Sequence, residues 1–181
     1  MKKKRIFIGS FIQSPELTKL FEKLKEELKD KANIKWTRTP ENFHITYIFL
    51  GEMPVYKVEE IQEFINKEFK NEIEAGLQIK GLNFFKRKGK PSVLYADITP
   101  NEQLKKIYQK INAYLNEKGM ISSKKSHFKP HITLGRIKKV NPDFFESVNQ
   151  YNKENLGDIS SVKVEIIESK LSPQGALYKK I

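Results

Sequence analysis

A His-Ile-Thr tripeptide occurs twice in this sequence, at His44-Ile45-Thr46 and at His131-Ile132-Thr133. Two of the three histidines in the chain therefore begin the same motif. Because nearly half the chain separates the two copies, the repeat predicts two related halves that contribute one copy each. A length of 181 residues suits one ordinary domain, so we expect residues 1–181 to form a single domain built from these halves.

Both copies lie in sequence that favours β-strands, over Phe43–Leu50 and His131–Ile137. On a strand, residues i and i+2 point to the same face. Each histidine therefore shares a face with the threonine of its own motif. If the two strands are neighbours, two imidazoles and two hydroxyls converge on one cleft.

These groups suit phosphoryl transfer to water or to an alcohol without a metal. One neutral imidazole can take a proton from the nucleophile, and one imidazolium can protonate the leaving oxygen. Histidine suits both tasks because its unperturbed pKa is about 6.5. The hydroxyls of Thr46 and Thr133 can donate hydrogen bonds to the non-bridging phosphate oxygens, which carry negative charge in the transition state.

Two alternatives compete with this chemistry. Each histidine can be a structural residue of its strand, which is the ordinary interpretation of a single short motif but a weaker one for a repeated motif. A zinc site usually takes three or four protein ligands, and the sequence offers one other histidine, no cysteine and no helical His-Glu-x-x-His spacing. We therefore expect no metal and no cofactor.

The charge of the chain favours a polyanionic partner. The net charge is +12, which attracts RNA, DNA or anionic membranes, although a solvated lysine-rich surface gives the same value. No apolar run approaches the ~18 residues of a membrane span, and the apolar stretch Ile6–Gly9 is too short for a signal peptide. We expect a cytoplasmic protein without a membrane association, and the absence of cysteine excludes disulfides.

Local patterns predict the class of fold. A capping side chain precedes a proline at Ser14-Pro15, Thr99-Pro100 and Asn141-Pro142, which predicts three helix starts. Apolar residues at helical spacing predict a further helix over Val55–Phe69. Strand-like segments lie between the helices, at Arg5–Ile12, Phe43–Leu50, Leu77–Phe85, Ser92–Ile98, His131–Ile137, Val162–Leu171 and Ala176–Tyr178. The order does not repeat βαβ units, so we predict an α+β fold with mainly antiparallel sheet.

These motifs resemble those of the two-histidine phosphoesterase superfamily, in particular the RNA 2′,3′-cyclic phosphodiesterases, which are also called LigT-like or 2′-5′ RNA ligase-like proteins. The family signature is a pair of His-x-Thr-x motifs, present here as His44-Ile45-Thr46-Tyr47 and His131-Ile132-Thr133-Leu134. The flanking segments Phe49-Leu50-Gly51, Phe128-Lys129-Pro130 and Gly135-Arg136 also fit. The resemblance spans nearly the whole chain.

The resemblance implies a bilobal fold of two pseudo-symmetric antiparallel sheets, with helices packed outside and the active site in the central cleft. It also implies hydrolysis of a 2′,3′-cyclic phosphate RNA end to a 2′-phosphate. His44 would protonate the departing 3′ oxygen, and His131 would activate water. Thr46 and Thr133 would hold the phosphate oxygens. We expect the protein to act as a monomer.

Further substrate contacts are expected from one arginine and several aromatic residues. Arg136 is similar to a family position that supports the phosphate, but strand parity turns it away from His131 unless the strand contains a bend or a bulge. Base stacking needs an exposed ring, and Phe11, Tyr47 and Tyr95 are the candidates. Each of the three rings has a core role as its alternative, and Phe49 is assigned to the core. Relatives often have tryptophan where Tyr95 stands.

Other functions stay open at this level. The reverse reaction, in which a 5′-hydroxyl attacks the cyclic phosphate, uses the same acid and base and forms a 2′-5′ link. A non-catalytic module that binds RNA ends explains the positive charge equally well. A phosphodiesterase that acts on small cyclic nucleotides uses the same chemistry.

Overall fold

The computed structural model describes residues 2–121, 127–173 and 175–181. The described residues form nine strands and four α-helices, with a 3₁₀ turn at Pro40–Asn42. The strands are β1 (Lys3–Phe11), β2 (Ala32–Trp36), β3 (His44–Pro54), β4 (Ile73–Arg87), β5 (Lys90–Ile98), β6 (His131–Val140), β7 (Asn155–Val162), β8 (Glu165–Ser172) and β9 (Gly175–Lys180). The helices are α1 (Pro15–Glu27), α2 (Val55–Glu68), α3 (Glu102–Glu117) and α4 (Asp143–Asn149).

The strands form two antiparallel sheets, and each sheet carries one motif. The four-stranded sheet has the order β3-β1-β8-β9 and holds the first motif at the start of β3. The five-stranded sheet has the order β2-β6-β5-β4-β7 and holds the second motif at the start of β6. The predicted α+β class with antiparallel sheets is therefore confirmed.

The sheets do not correspond to the two halves of the sequence. Strand β2 lies between β1 and β3 along the chain, yet it pairs with β6 in the five-stranded sheet. Strands β8 and β9 come from the end of the chain, yet they complete the four-stranded sheet beside β1. Each sheet therefore depends on segments that are far apart in sequence.

Helix starts follow the predicted signal in one case and differ in two. The Ser14 hydroxyl accepts a hydrogen bond from the Leu17 backbone N–H at 3.1 Å and caps α1 as predicted. Helix α3 begins later than predicted, because Asn101 rather than Thr99 caps it by accepting from the Gln103 and Leu104 N–H groups. Helix α4 has no side-chain cap, and the Asn141 amide instead donates to the Asp30 carbonyl at 3.2 Å.

The apolar faces of the helices pack against the sheets to form the core. The buried faces include Leu17, Phe21 and Leu24 on α1 and Leu104, Ile107 and Ile111 on α3. Two strands were not predicted from the sequence, namely β2 and β7. In the part of the chain that the structure describes, no helix is both long and apolar enough to cross a membrane.

Candidate active site

The two motifs meet at one cavity between the sheets. Thr46 and His44 from β3 line this cavity together with Thr133 and Arg136 from β6. Its volume is about 310 Å³. The His131 ring lies beside the cavity rather than among its lining residues, but its charge is close enough to lower the pKa of His44. The structure thus brings together both threonines, both histidines and Arg136.

Each histidine is oriented by the backbone two residues before it. The His44 Nδ1 lies 2.6 Å from the Asn42 carbonyl oxygen, and the His131 Nδ1 lies 2.7 Å from the Lys129 carbonyl oxygen. A carbonyl can only accept, so Nδ1 carries a proton and donates in both cases. In the neutral form of each ring, Nε2 therefore carries the lone pair that can take a proton.

Aromatic side chains pack against both imidazoles. The His44 ring lies 4.8 Å from Phe7 and 4.7 Å from Tyr178, measured between ring centroids. The His131 ring lies 4.9 Å from Phe85 and 5.2 Å from Tyr95 in edge-to-face contacts. The two sites therefore repeat one arrangement, in which the backbone fixes Nδ1 and two aromatic rings fix the plane.

Burial lowers the pKa of both histidines. For His44, removal from water lowers the pKa to about 4, the hydrogen bond to Asn42 opposes this effect, and the charge of His131 adds to it. For His131, burial also lowers the pKa below its ordinary value, the bond to Lys129 opposes the effect, and the Lys129 charge adds to it. Both imidazoles are therefore neutral at pH 7 when no anion is bound.

A β-bulge follows the threonine in each motif. In β3, Thr46 pairs with Gly9 but Ile48 pairs with the next residue, Ile8, so Tyr47 is the extra residue. In β6, Thr133 pairs with Tyr95 but Gly135 pairs with Leu94, so that Leu134 is extra. A bulge reverses the alternation of side chains beyond it.

The second bulge turns Arg136 toward the site. Without it, Arg136 would face away from His131, as strand parity predicts. With it, Arg136 is exposed and lines the same cavity as Thr133. Its guanidinium is also close enough to lower the pKa of Tyr178, which burial raises.

The first bulge has the same effect on Phe49 and corrects its assignment to the core. The Phe49 side chain is 53% exposed and lines the cavity, because the extra residue at position 47 reverses the face on which it lies. The Arg5 guanidinium carbon lies 4.9 Å from the centre of the Phe49 ring. Phe49 and Arg136 occupy equivalent positions, each three residues after the motif threonine.

The three aromatic candidates for base stacking are in different environments. Tyr47 is 4% exposed and its hydroxyl lies 2.9 Å from Ser10 Oγ, while Tyr95 is 2% exposed and accepts a hydrogen bond from Lys129 Nζ at 2.7 Å. Neither ring has a face free for a base, so their core role replaces the predicted stacking role. Phe11 is partly exposed and pairs directly with His44 across β1 and β3. Its location suits the predicted role.

Other residues near the site were not identified from the sequence. Phe7, Phe85 and Tyr178 contact the histidines, and Lys35 and Arg38 line the cavity. Their positions depend on strand pairing between distant segments, which no local pattern reports. His127, the third histidine, lines a different cavity beside α3. Among the described residues, no three His, Asp or Glu side chains form a group that could hold a metal ion.

Sequence comparison finds similar proteins that match nearly the whole chain. Residues 6–181 match the family described as the AKAP7 2′5′ RNA ligase-like domain. An RNA 2′,3′-cyclic phosphodiesterase of Archaeoglobus fulgidus is 29% identical over 160 residues, which cover 87% of this chain and 89% of the relative. A protein of the same name from Thermotoga maritima is 29% identical over 175 residues, with coverages of 97% and 91%.

Solved structures share the fold. The structure of TT0787 from Thermus thermophilus has a TM-score of 0.79 and 22% identity, covering 98% of this chain and 94% of that one. The structure of E. coli LigT in complex with 3′-AMP has a TM-score of 0.72 and 16% identity, with coverages of 99% and 96%. The predicted bilobal LigT-like fold is therefore confirmed.

Proposed function

Because the chain belongs to the family of AKAP7 2′5′ RNA ligase-like domains, as its resemblance to two-histidine phosphoesterases predicted, we propose that it is an RNA 2′,3′-cyclic phosphodiesterase. The observation that carries this proposal is that Thr46 and Thr133, from two different sheets, line one cavity. Relatives that cover most of the chain are named for the same activity.

In the proposed reaction, water attacks the phosphorus of the cyclic phosphate. His131 Nε2 takes a proton from the water, and His44 Nε2 donates a proton to the 3′ oxygen as the bond between phosphorus and that oxygen breaks. The products are a 2′-phosphate and a free 3′-hydroxyl. Both rings are held in the same way, through Nδ1 and two aromatic contacts, so the choice of His44 as the acid rests on the family resemblance.

The remaining side chains of the cavity support phosphate and base binding. The hydroxyls of Thr46 and Thr133 would donate to the non-bridging oxygens, and the Arg136 guanidinium would offset their charge. The exposed Phe49 ring, with Arg5 against one face, offers its other face to the terminal base. Phe11 beside His44 is a second candidate for contact with the terminal nucleotide.

The decisive experiment is product analysis with a defined oligonucleotide that ends in a 2′,3′-cyclic phosphate. The purified protein, in excess EDTA, is expected to give a 2′-phosphate. His44→Ala and His131→Ala should each lower the rate by at least ~10²-fold, which is the typical contribution of one general acid or base. His127→Ala is the matched control, since it removes the histidine that lies at another cavity.

The other outcomes distinguish the alternatives. Tight binding of the oligonucleotide without turnover would contradict the enzyme proposal and favour a non-catalytic module that binds RNA ends. Joined oligonucleotides with a 2′-5′ link would indicate that the reverse reaction dominates. Cytoplasmic location, the monomeric state and the single-domain organisation stay predictions from the sequence.

A further inference from the structure

The cavity carries more positive charge than one cyclic phosphate requires. Among the described residues, four cationic side chains line it, and no aspartate or glutamate does. The four are Arg5, Lys35, Arg38 and Arg136. Within the part of the chain that the structure describes, none of the four forms an ion pair. A cyclic phosphodiester carries a single negative charge, so its binding leaves room in the charge balance of the cavity for a second anion.

Two of these cations oppose each other across a strand pair. Lys35 on β2 pairs directly with Arg136 on β6. Side chains that are paired in this way share a face, with Cβ atoms about 5 Å apart, and like charges there are destabilising. An anion bound between or beside the two side chains would remove that cost.

The structure fixes β2 at the edge of the site. Lys35 Nζ donates to the Pro173 carbonyl at 3.1 Å, which holds its ammonium group near the turn between β8 and β9 and leaves two N–H donors. Thr37 is anchored to the second motif, because its N–H donates to the Leu134 carbonyl at 2.8 Å and its hydroxyl to the Thr133 carbonyl at 3.0 Å. Arg38 follows directly and is exposed at the cavity.

Lys35 therefore lies one strand spacing away from the β6 residues that would hold the reacting phosphate, and Arg38 lies two residues beyond the end of β2. Thr133 and Arg136 belong to β6, and β2 lies on the side of β6 that faces away from β5. Neighbouring strands are about 4.8 Å apart. A second phosphate at β2 would consequently lie beside the first one without competing for the same donors.

We propose that Lys35 and Arg38 form a second anion subsite that binds the phosphodiester on the 5′ side of the terminal ribose. This inference rests on the proposed function and specifies its substrate class. RNA ends carry that phosphodiester, whereas nucleoside 2′,3′-cyclic phosphates lack it. The subsite therefore selects oligonucleotide ends over cyclic mononucleotides.

The test compares three substrates that share one cyclic phosphate. They are adenosine 2′,3′-cyclic phosphate, the same nucleotide with a 5′-phosphate, and a dinucleotide that ends in adenosine 2′,3′-cyclic phosphate. The expected kcat/KM is at least ~10-fold higher for the second and third substrates, since their additional phosphate gains charge-assisted hydrogen bonds from Lys35 and Arg38. In the Lys35→Gln/Arg38→Gln double variant, this ratio should fall to near one.

Two further variants separate the subsite from general effects. Lys19→Gln/Lys106→Gln removes two exposed charges from the outer faces of α1 and α3 and should keep the ratio. Lys35→Arg/Arg38→Lys keeps both charges and should also keep the ratio of kcat/KM values. This variant tests the subsite even if the glutamine variant unfolds.

Each contrary result has a distinct meaning. Equal kcat/KM values of the wild-type protein for all three substrates would contradict the subsite and leave the proposed function intact. An equal loss on all three substrates in the glutamine variant, with its fold retained, would also contradict the subsite. Absence of turnover of every substrate would contradict the proposed function itself.

Discussion

At the scale of single residues, the site is built from two histidines that the local backbone orients. A hydrogen bond from Nδ1 to a carbonyl two residues earlier sets the tautomer of each ring without a carboxylate partner. Burial lowers the pKa of both rings, and the nearby Asp97 carboxylate only partly opposes this effect for His131. The rings are therefore mainly neutral in the free protein, and the negative charge of the bound phosphate favours protonation, from solvent, of the ring that acts as the acid.

We expect the optimum of kcat/KM to lie on the acidic side of neutrality. The reactive form has one protonated and one neutral imidazole, and its population is greatest between the two pKa values of the free protein. The pKa of His44 is about 4 and that of His131 is lowered, so the optimum should fall below about pH 6.5. Initial rates between about pH 4 and 9 would measure it.

The same experiment gives a second expectation for the bound state. The phosphate is an anion, so it raises both pKa values and should move the optimum of kcat to higher pH than that of kcat/KM. The His127→Ala variant should show the same two profiles as the wild-type protein. A kcat/KM profile that stays flat or rises between pH 6 and 9 would contradict the assignment of two titrating histidines.

A sulfur substitution can assign the acid. If sulfur replaces the 3′ bridging oxygen, the leaving group is a thiolate, which needs no proton because thiols have a pKa near 8.5. The defect of His44→Ala should then shrink by at least ~10-fold relative to the oxygen substrate, while that of His131→Ala should persist. If the sulfur substrate instead reduced the defect of His131→Ala, His131 would be the general acid and His44 the general base.

At the scale of strands, the two bulges determine which side chains reach the cavity. Each bulge lies directly after a motif threonine, and each brings the third residue after that threonine to the site. One of these residues is Phe49 and the other is Arg136. In both copies the motif is therefore accompanied by a backbone irregularity as well as by a pair of site side chains.

Gly135→Ala should disturb the edge strand next to the second bulge. A Cβ at this position would lie 2.5 Å from Ile34 Cγ2 and 3.2 Å from the Lys35 carbonyl oxygen, so β2 would have to move away from β6. Overpacking of this kind costs about 1–3 kcal/mol of the free energy of unfolding. Urea unfolding followed by the fluorescence of Trp36, the single tryptophan of the chain, would measure the loss.

The same variant should also reduce the preference for a 5′-phosphorylated substrate, because a shift of β2 displaces Lys35, which lies on this strand, and Arg38, which lies two residues beyond it. Lys138→Ala is the control, because Lys138 lies on β6 like Gly135 but is exposed. Substitutions at exposed positions usually change the free energy of unfolding by no more than about 0.5 kcal/mol. Wild-type stability of Gly135→Ala would mean that the close approach of β2 to β6 is not needed.

Local sequence patterns predicted the helices and most strands but not β2 or β7. Strand β7 contains Gly157 and Asp158, which have low strand propensity, and its apolar residues Leu156, Ile159 and Val162 are spaced by three. It is a strand because β4 pairs with it. Strand parity correctly predicted that His44 and Thr46 share a face. The exposure of Phe49 depends on the bulge at Tyr47, which is defined by the pairing of β3 with β1 and is not visible in the sequence of β3 alone.

At the scale of the whole molecule, the two sheets share the chain in an interleaved way. The four-stranded sheet contains strands from the first third and from the end of the chain. Strand β2, which lies between β1 and β3 in sequence, belongs to the other sheet. The Lys35 side chain also joins β2 to the turn between β8 and β9 through the Pro173 carbonyl. Unfolding of either sheet therefore removes contacts that hold strands of the other sheet in place.

This interleaving predicts that the two sheets unfold in one cooperative transition. Trp36 lies on β2 and packs edge-to-face on Phe21 with 5.5 Å between ring centroids, so its fluorescence reports on the five-stranded sheet. The chain has no cysteine, so a Lys179→Cys substitution on β9 allows a single dye to report on the four-stranded sheet. Coincident midpoints in urea are expected for a two-state protein.

The control for this measurement is the labelled protein itself, whose Trp36 midpoint should match that of the unlabelled chain. If the dye on β9 instead changed at lower urea than Trp36, the four-stranded sheet would open as a separate unit. Such an opening would separate Thr46 from Thr133 while the five-stranded sheet stayed folded. Activity in urea would then be lost with the dye signal rather than with the tryptophan signal, whereas a cooperative molecule loses all three together.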